Sequence, residues 1–123
     1  MKSNESPAAA ATDKTEAVCC GGSHSLSDVD LREDVRLLSA VSNDTRYETL
    51  RYVAGAGEEG ACVCELPPLV GVTQGTVSNA LSRLHEAGLV DRRKEGRWRY
   101  YTATAAAERL LETLDDLREV DDE

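Results

Sequence analysis

Apolar residues recur along this chain with two periods, one helical and one extended. Behind Ser27, which suits an N-cap, Leu31, Val35 and Leu38 stand at i, i+4 and i+7 and predict a first helix. A second helix is expected to begin near residues 43–45, where Thr45 and Glu48 have capping-box spacing, and to run through Leu50 and Val53 until Gly55-Ala56-Gly57 stops it. After Glu58-Glu59-Gly60-Ala61 a short helix is expected from about Cys64 to Val70. Pro67 and Pro68 are tolerated only in a first turn, so its start falls at Cys62 and Cys64. Thr73 then caps a helix that places Val77, Leu81 and Leu84 on one face and ends at Gly88. The other face of that helix carries Gln74, Thr76, Ser78, Asn79 and Arg83.

Beyond Gly88 the pattern turns extended. Leu89 to Lys94 and Arg97 to Thr102 flank Glu95-Gly96, a hairpin signal because glycine permits the positive φ of a tight turn. Trp98 and Tyr100 share one strand face and are expected in the core. Ala103, Ala107, Leu110, Leu114 and Leu117 then repeat at steps of four and three, a heptad-like seam that calls for a partner helix. Residues 1–26 show no sustained periodicity and read as a flexible, cysteine-containing tail, residues 27–119 as the folded domain, and residues 120–123 as an acidic end. Helix, tight turn, polar-faced helix and basic hairpin, in that order, describe a winged helix-turn-helix. The fold class expected is mainly α (α+β), with about five helices and a two-stranded β-wing, in a dimer that supplements a modest core.

Charge modifies this picture. The net charge of −9 opposes binding to a polyanion, but the distribution is uneven. Between residues 74 and 101, Arg83, Arg92, Arg93, Lys94, Arg97 and Arg99 outnumber Glu86, Asp91 and Glu95 by three, which leaves −12 on the rest. Lysine is confined to positions 2, 14 and 94 while acids are spread along the chain, a bias that suits concentrated salt and equally a generic acidic surface kept for solubility. The amino terminus has no apolar h-region and no stretch is long enough to span a bilayer, so a cytoplasmic protein without membrane contact is expected.

In a reducing compartment Cys19, Cys20, Cys62 and Cys64 are thiols or metal ligands rather than a disulfide framework. Short polar side chains on the helix after Thr73 allow close approach to base edges. Gln74 and Asn79 suit adenine, Thr76 and Ser78 line the same face, and Arg83 suits phosphate. Arg92, Arg93, Lys94, Arg97 and Arg99 would flank a wing that enters the minor groove or grips the backbone. No CxxC, no phosphate-binding glycine loop and no acid or histidine paired with a nucleophile is present, which argues against an enzyme and calls for no organic cofactor.

Over residues 30–118 the chain resembles the ArsR (ArsR/SmtB) family of metal-responsive repressors. The resemblance is carried by LLSAVSNDTRYETL at 37–50, ACVCEL at 61–66, GTVSNALSRL at 75–84 and AGLVDRRKEGRWRYY at 87–101. It implies a homodimer that binds an inverted repeat in double-stranded DNA and leaves it when metal binds. It also implies that Cys62 and Cys64 are the thiolate sensor for arsenite or antimonite, or alternatively for cadmium or lead. A helix N-terminus lowers thiol pKa, and soft ions prefer sulfur. Where some relatives place a third cysteine, this chain has Pro67, so a third or fourth sulfur would come from Cys19 or Cys20; the other reading of that pair is an inert one. His24 reads as tail. A second site type in the family uses His and Asp on the terminal helix for zinc, but residues 103–123 hold no histidine, and Asp115, Asp116 and Glu119 read as a solvated face. A redox-sensing or metal-independent DNA-binding regulator is the reading of another class.

Overall fold

Ser27 opens the first helix as its pattern predicts: its hydroxyl oxygen accepts a hydrogen bond from the Asp30 amide at 3.0 Å, and α1 spans Asp28–Ala40. The computed structural model describes residues 23–121, so Cys19 and Cys20 lie outside the described residues. The chain divides into two units, Met1–Leu31 and Arg32–Glu123, and the architecture below is that of the second.

The second helix, α2 (Asp44–Gly55), is capped by Asn43 rather than through Thr45. Asn43 is extended and its side-chain oxygen accepts from the Arg46 amide at 3.0 Å, whereas Thr45 already lies inside the helix, its carbonyl accepting from the Thr49 hydroxyl at 2.7 Å. Arg46 turns back and donates to the carbonyls of Ala40 and Ser39 at 2.9 and 3.0 Å, satisfying groups that the end of α1 leaves without helical partners.

The chain then forms a strand that the pattern did not predict. Strand β1 (Ala61–Cys62) adds to the hairpin β2 (Val90–Glu95) and β3 (Trp98–Ala103) in an antiparallel sheet of order β1-β3-β2. Cys62 pairs with Tyr100, a 3₁₀ turn covers Val63–Glu65, and α3 spans Leu66–Val70, so the expected helix start at Cys64 moves to Leu66. Two residues are too few for alternation to register, and only the partner strand makes them one. Glu95 pairs with Trp98, which shifts the hairpin tip from Glu95-Gly96 to Gly96-Arg97, with Gly96 at φ +62°.

Recognition-type helix α4 (Gln74–Glu86) is capped by Thr73, whose hydroxyl oxygen accepts from the Thr76 amide at 3.2 Å. The terminal helix α5 (Ala105–Asp121) follows Thr104, which accepts from the Ala107 amide and donates to the Gly88 carbonyl, tying the end of α4 to the start of α5. Ala103 therefore belongs to β3 and not to the helical seam.

Leu50, Val53, Leu66, Val77, Leu81, Leu84, Leu89, Val90, Tyr101, Ala107 and Leu111 form the buried cluster. Three expectations need correction here. Trp98 is 48% exposed, because alternation along β3 turns Tyr101 inward and Trp98 outward. The apolar face of α1 is not core: Leu31, Val35 and Leu38 are exposed and only Leu37 and Ala40 reach inward. On α5 the inward pair is Ala107 and Leu111, while Leu110 and Leu114 are half-buried and Leu117 is exposed.

Asp115 is likewise not part of a merely solvated face. It pairs with Arg51 at 2.8 Å and with Arg118, joining α2 to α5. The Arg51 guanidinium holds the Asp115 carboxyl below the usual range, so the stability this pair gives is present above the ordinary carboxylate pKa and lost as pH falls through the lowered one. With both side chains about a third or more exposed, the effect is small.

Gly60 decides where β1 can lie. It sits at φ +84° and ψ 171°, a region essentially reserved for glycine, and a Cβ there would meet the Tyr101 carbonyl oxygen at 2.9 Å. Gly60→Ala is expected to cost about 1–3 kcal/mol in backbone strain alone. It should also detach Ala61 and Cys62 from β3, read as a lower urea midpoint together with faster alkylation of the buried Cys62 thiol.

Candidate nucleic-acid interface and thiol pair

Burial of Val77, Ala80, Leu81 and Leu84 rotates the polar side of α4 outward, and Gln74, Thr76, Ser78, Asn79 and Arg83 are all exposed. Helical geometry sorts them into two stripes. Gln74, Ser78 and Ser82, at steps of four, line a cleft of about 330 Å³ that opens toward the hairpin. Thr76, Asn79 and Arg83 line another that opens toward the start of α2, together with Asn43, Thr45 and Arg46. Ser82 was not among the expected residues, although its spacing from Gln74 and Ser78 was a sufficient signal.

The register of the hairpin sorts its cations in the same way. Arg92 pairs with Tyr101 and Lys94 with Arg99, so Arg92, Lys94 and Arg99 share the Tyr101 face, and Arg92, Arg97 and Arg99 line the cleft beside α4. Arg93 faces the other way. It pairs with Glu95 at 2.8 Å, donates to the Glu59 carbonyl at 3.1 Å and lies over the Tyr100 ring at 5.1 Å. Thus four of the five expected wing cations are free of intramolecular ion pairs among the described residues, and Arg93 braces the base of the wing.

Cys62 and Cys64 come together because the turn that carries them is not α-helical. An i, i+2 pair diverges on an α-helix, but here Cys62 is extended at φ −75° and ψ 138° and Cys64 lies in the 3₁₀ turn, which brings the two Sγ atoms to 2.7 Å as free thiols. Glu65 closes the turn by accepting from the Cys62 amide at 3.3 Å. Cys62 is buried, while Cys64 is exposed and lines the same cleft as Gln74, Ser78 and Arg99. The expected lowering of thiol pKa is reversed for Cys64: the adjoining Cys62 sulfur, desolvation and the Glu65 charge push it up. With α3 only five residues long, its dipole does not outweigh them. Among the described residues no group of three or more His, Cys, Asp or Glu converges on one point, so this pair supplies two donors.

The family model for a bacterial regulatory protein of the arsR family matches residues 43–92, from the Asn43 cap through α4 into the wing. A Halobacterium salinarum protein named as the arsenical resistance operon repressor ArsR2 is 56% identical over 100 residues, 81% of this chain and 83% of its own length. The chain belongs to the arsR family. A second H. salinarum protein, named as the repressor ArsR, is 49% identical over 72% of this chain and 67% of its own length. Among solved structures, the homodimeric winged helix-turn-helix DNA-binding domain of a possible ArsR-family regulator from Mycobacterium bovis superposes with a TM-score of 0.67 at 26% identity, covering 79% of this chain and 91% of that one. This ArsR-family protein is a winged-helix transcriptional regulator and not an enzyme. The Halobacterium relatives accord with the salt-adapted reading of its acidic, lysine-poor composition. No helix among the described residues is long and apolar enough to cross a membrane.

Proposed function

We propose that the protein is a homodimeric repressor that holds an inverted-repeat operator through α4 and the wing and releases it when arsenite or antimonite binds Cys62 and Cys64. The observation that carries this reading is the convergence of the two sulfurs at 2.7 Å beside the polar face of α4. The names of the H. salinarum relatives, arsenical resistance operon repressors, point to the same ligand class. Gln74, Thr76, Ser78 and Asn79 take the base edges, and Arg83, Arg92, Lys94, Arg97 and Arg99 the phosphates. Val35 and Leu38 on α1 and Leu117 and Val120 on α5 are all more than half exposed in the single chain and form the apolar faces that a second copy covers.

Arsenic(III) prefers sulfur and holds its ligands as a trigonal pyramid, so binding moves the two Sγ atoms to positions set by that pyramid. Cys62 is held by its pairing with Tyr100, and the movement falls on Cys64 and the Val63–Glu65 turn, which packs against α4. The third sulfur is assigned to Cys19 or Cys20. The test is a gel-shift titration of operator DNA with arsenite: release at micromolar arsenite is expected, and operator binding that arsenite leaves unchanged would overturn the sensing reading.

Cadmium or lead bound by four sulfurs, with Cys19 and Cys20 completing the set, is the alternative that a two-donor site leaves room for. Proton balance separates the ions. When thiols displace hydroxide from arsenite, each thiol proton leaves as water, whereas a divalent cation drives each proton into solution. The Cys62 sulfur beside it pushes the Cys64 thiol pKa up, which favours the protonated thiol as the form the ion meets there. Apparent arsenite affinity is therefore expected to stay nearly flat from pH 6 to 8. That of cadmium should rise about tenfold per pH unit for each thiol engaged, as measured by release midpoints in matched buffers.

A further inference from the structure

The cleft that contains Cys64 has one wall built from Gln74, Ser78 and Ser82 of α4 and another built from Arg92, Arg97 and Arg99 of the wing. Val63, Trp98 and Tyr101 also line it, and among the described residues no acidic side chain does. In a winged helix whose recognition helix enters the major groove and whose wing reaches the minor groove, the sugar–phosphate strand that separates those grooves must pass between the two elements. The guanidinium groups that line one side of such a gap are the donors that phosphate oxygens take, which leaves Gln74 and Ser78 on the other side to the base edges. Cys64 is exposed and lines this gap, whereas Cys62 is buried and does not line it.

We propose that this cleft is the track of one DNA sugar–phosphate strand and that Cys64 forms part of its wall, so that a group carried on the Cys64 sulfur competes with the DNA backbone for the same space. The proposal rests on the DNA-binding reading given above, and it differs from release by a shift of α4 alone. A shift that misaligns two half-sites lowers preference for the operator and leaves non-specific binding intact. Occupation of the phosphate track weakens binding to any duplex, because the phosphate contribution carries no sequence information. By reciprocity, bound DNA of any sequence shields Cys64.

The test uses iodoacetamide on the full-length protein, with no metal present. The Cys64 sulfur forms a bond to carbon as iodide leaves, and the thiol proton passes to the buffer. At low ionic strength a saturating duplex without the operator is expected to slow modification of Cys64 by about tenfold or more, read by mass spectrometry. A rate unchanged by bound duplex would overturn the proposal. In a full-length chain carrying Cys19→Ser, Cys20→Ser and Cys62→Ser, modification of the remaining thiol is expected to weaken binding of the same duplex by about tenfold or more. If that adduct lowers operator preference while non-specific affinity holds, coupling runs through the helices and the proposal falls, although arsenite release would stand. Should the triple variant fail to fold, shielding in the natural protein decides. Shielding without arsenite release would instead sink the sensing reading and leave this one in place.

Discussion

Replacing Cys62 and Cys64 together by serine is expected to leave operator affinity within a few-fold of the natural protein and to raise the arsenite concentration for half-release by about 100-fold or more, close to 2.7 kcal/mol of lost coupling. The reason is chemical rather than steric. Serine keeps the size of the side chain but offers a hard, protonated oxygen to an ion that prefers sulfur. The two single variants should not be equivalent. Cys62 is buried in β1 and its side chain also takes part in the capping box with Glu65, so Cys62→Ser is expected to lower stability as well as response. Exposed Cys64 has no such duty, and Cys64→Ser should cost response alone. Gel-shift titration with arsenite, paired with urea denaturation of each variant, separates the two contributions. Loss of operator binding by the double variant in the absence of arsenite would contradict the assignment of these thiols to sensing.

The largest effect on stability is expected at Leu81. This side chain is fully buried on the inner face of α4, in the cluster that also holds Leu50 and Val53 of α2. Leu81→Ala removes buried apolar surface and leaves a cavity that the surrounding helices and sheet close only in part, at a cost of about 2–5 kcal/mol. A small domain has about 5–15 kcal/mol in all, so the variant should show a melting temperature lower by roughly 10 °C or more. Because Leu81 sets the rotation of Ser78 and Ser82 toward the wing, operator affinity should fall even at temperatures where the variant remains folded. A variant with unchanged melting temperature would show that α4 is not seated by this contact.

Local pattern carried far along this chain because the winged helix is built largely from elements that announce themselves. Ser27 and Thr73 cap the helices that their positions imply, and the recognition-type helix runs from Gln74 to Glu86 with the apolar face its period predicts. The errors fall where a neighbour decides. Thr45 and Glu48 have the spacing of a capping box, but Asn43 is the cap, because Thr45 already lies inside the helix while the Asn43 side chain accepts from the Arg46 amide. Leu31, Val35 and Leu38 form a convincing stripe, yet periodicity reports only that a helix has an apolar side and not whether its own chain covers it. Trp98 looks like core by composition and stands outside by strand parity.

The candidate site divides along the same line. From sequence by itself came the order of elements, the polar face of α4, the basic character of the hairpin and the suspicion that Cys62 and Cys64 act as a pair, since each depends on residue type and spacing along one element. Only tertiary structure decided that Cys62 belongs to a strand held by Tyr100 and that Cys64 shares a cleft with the wing. The same holds for the separation of Arg93 from Arg92, Lys94 and Arg99 across the two faces of the sheet. Those facts depend on which strand pairs with which and in what register. A one-residue slip would turn every side chain to the opposite face without altering the pattern that predicted the strands.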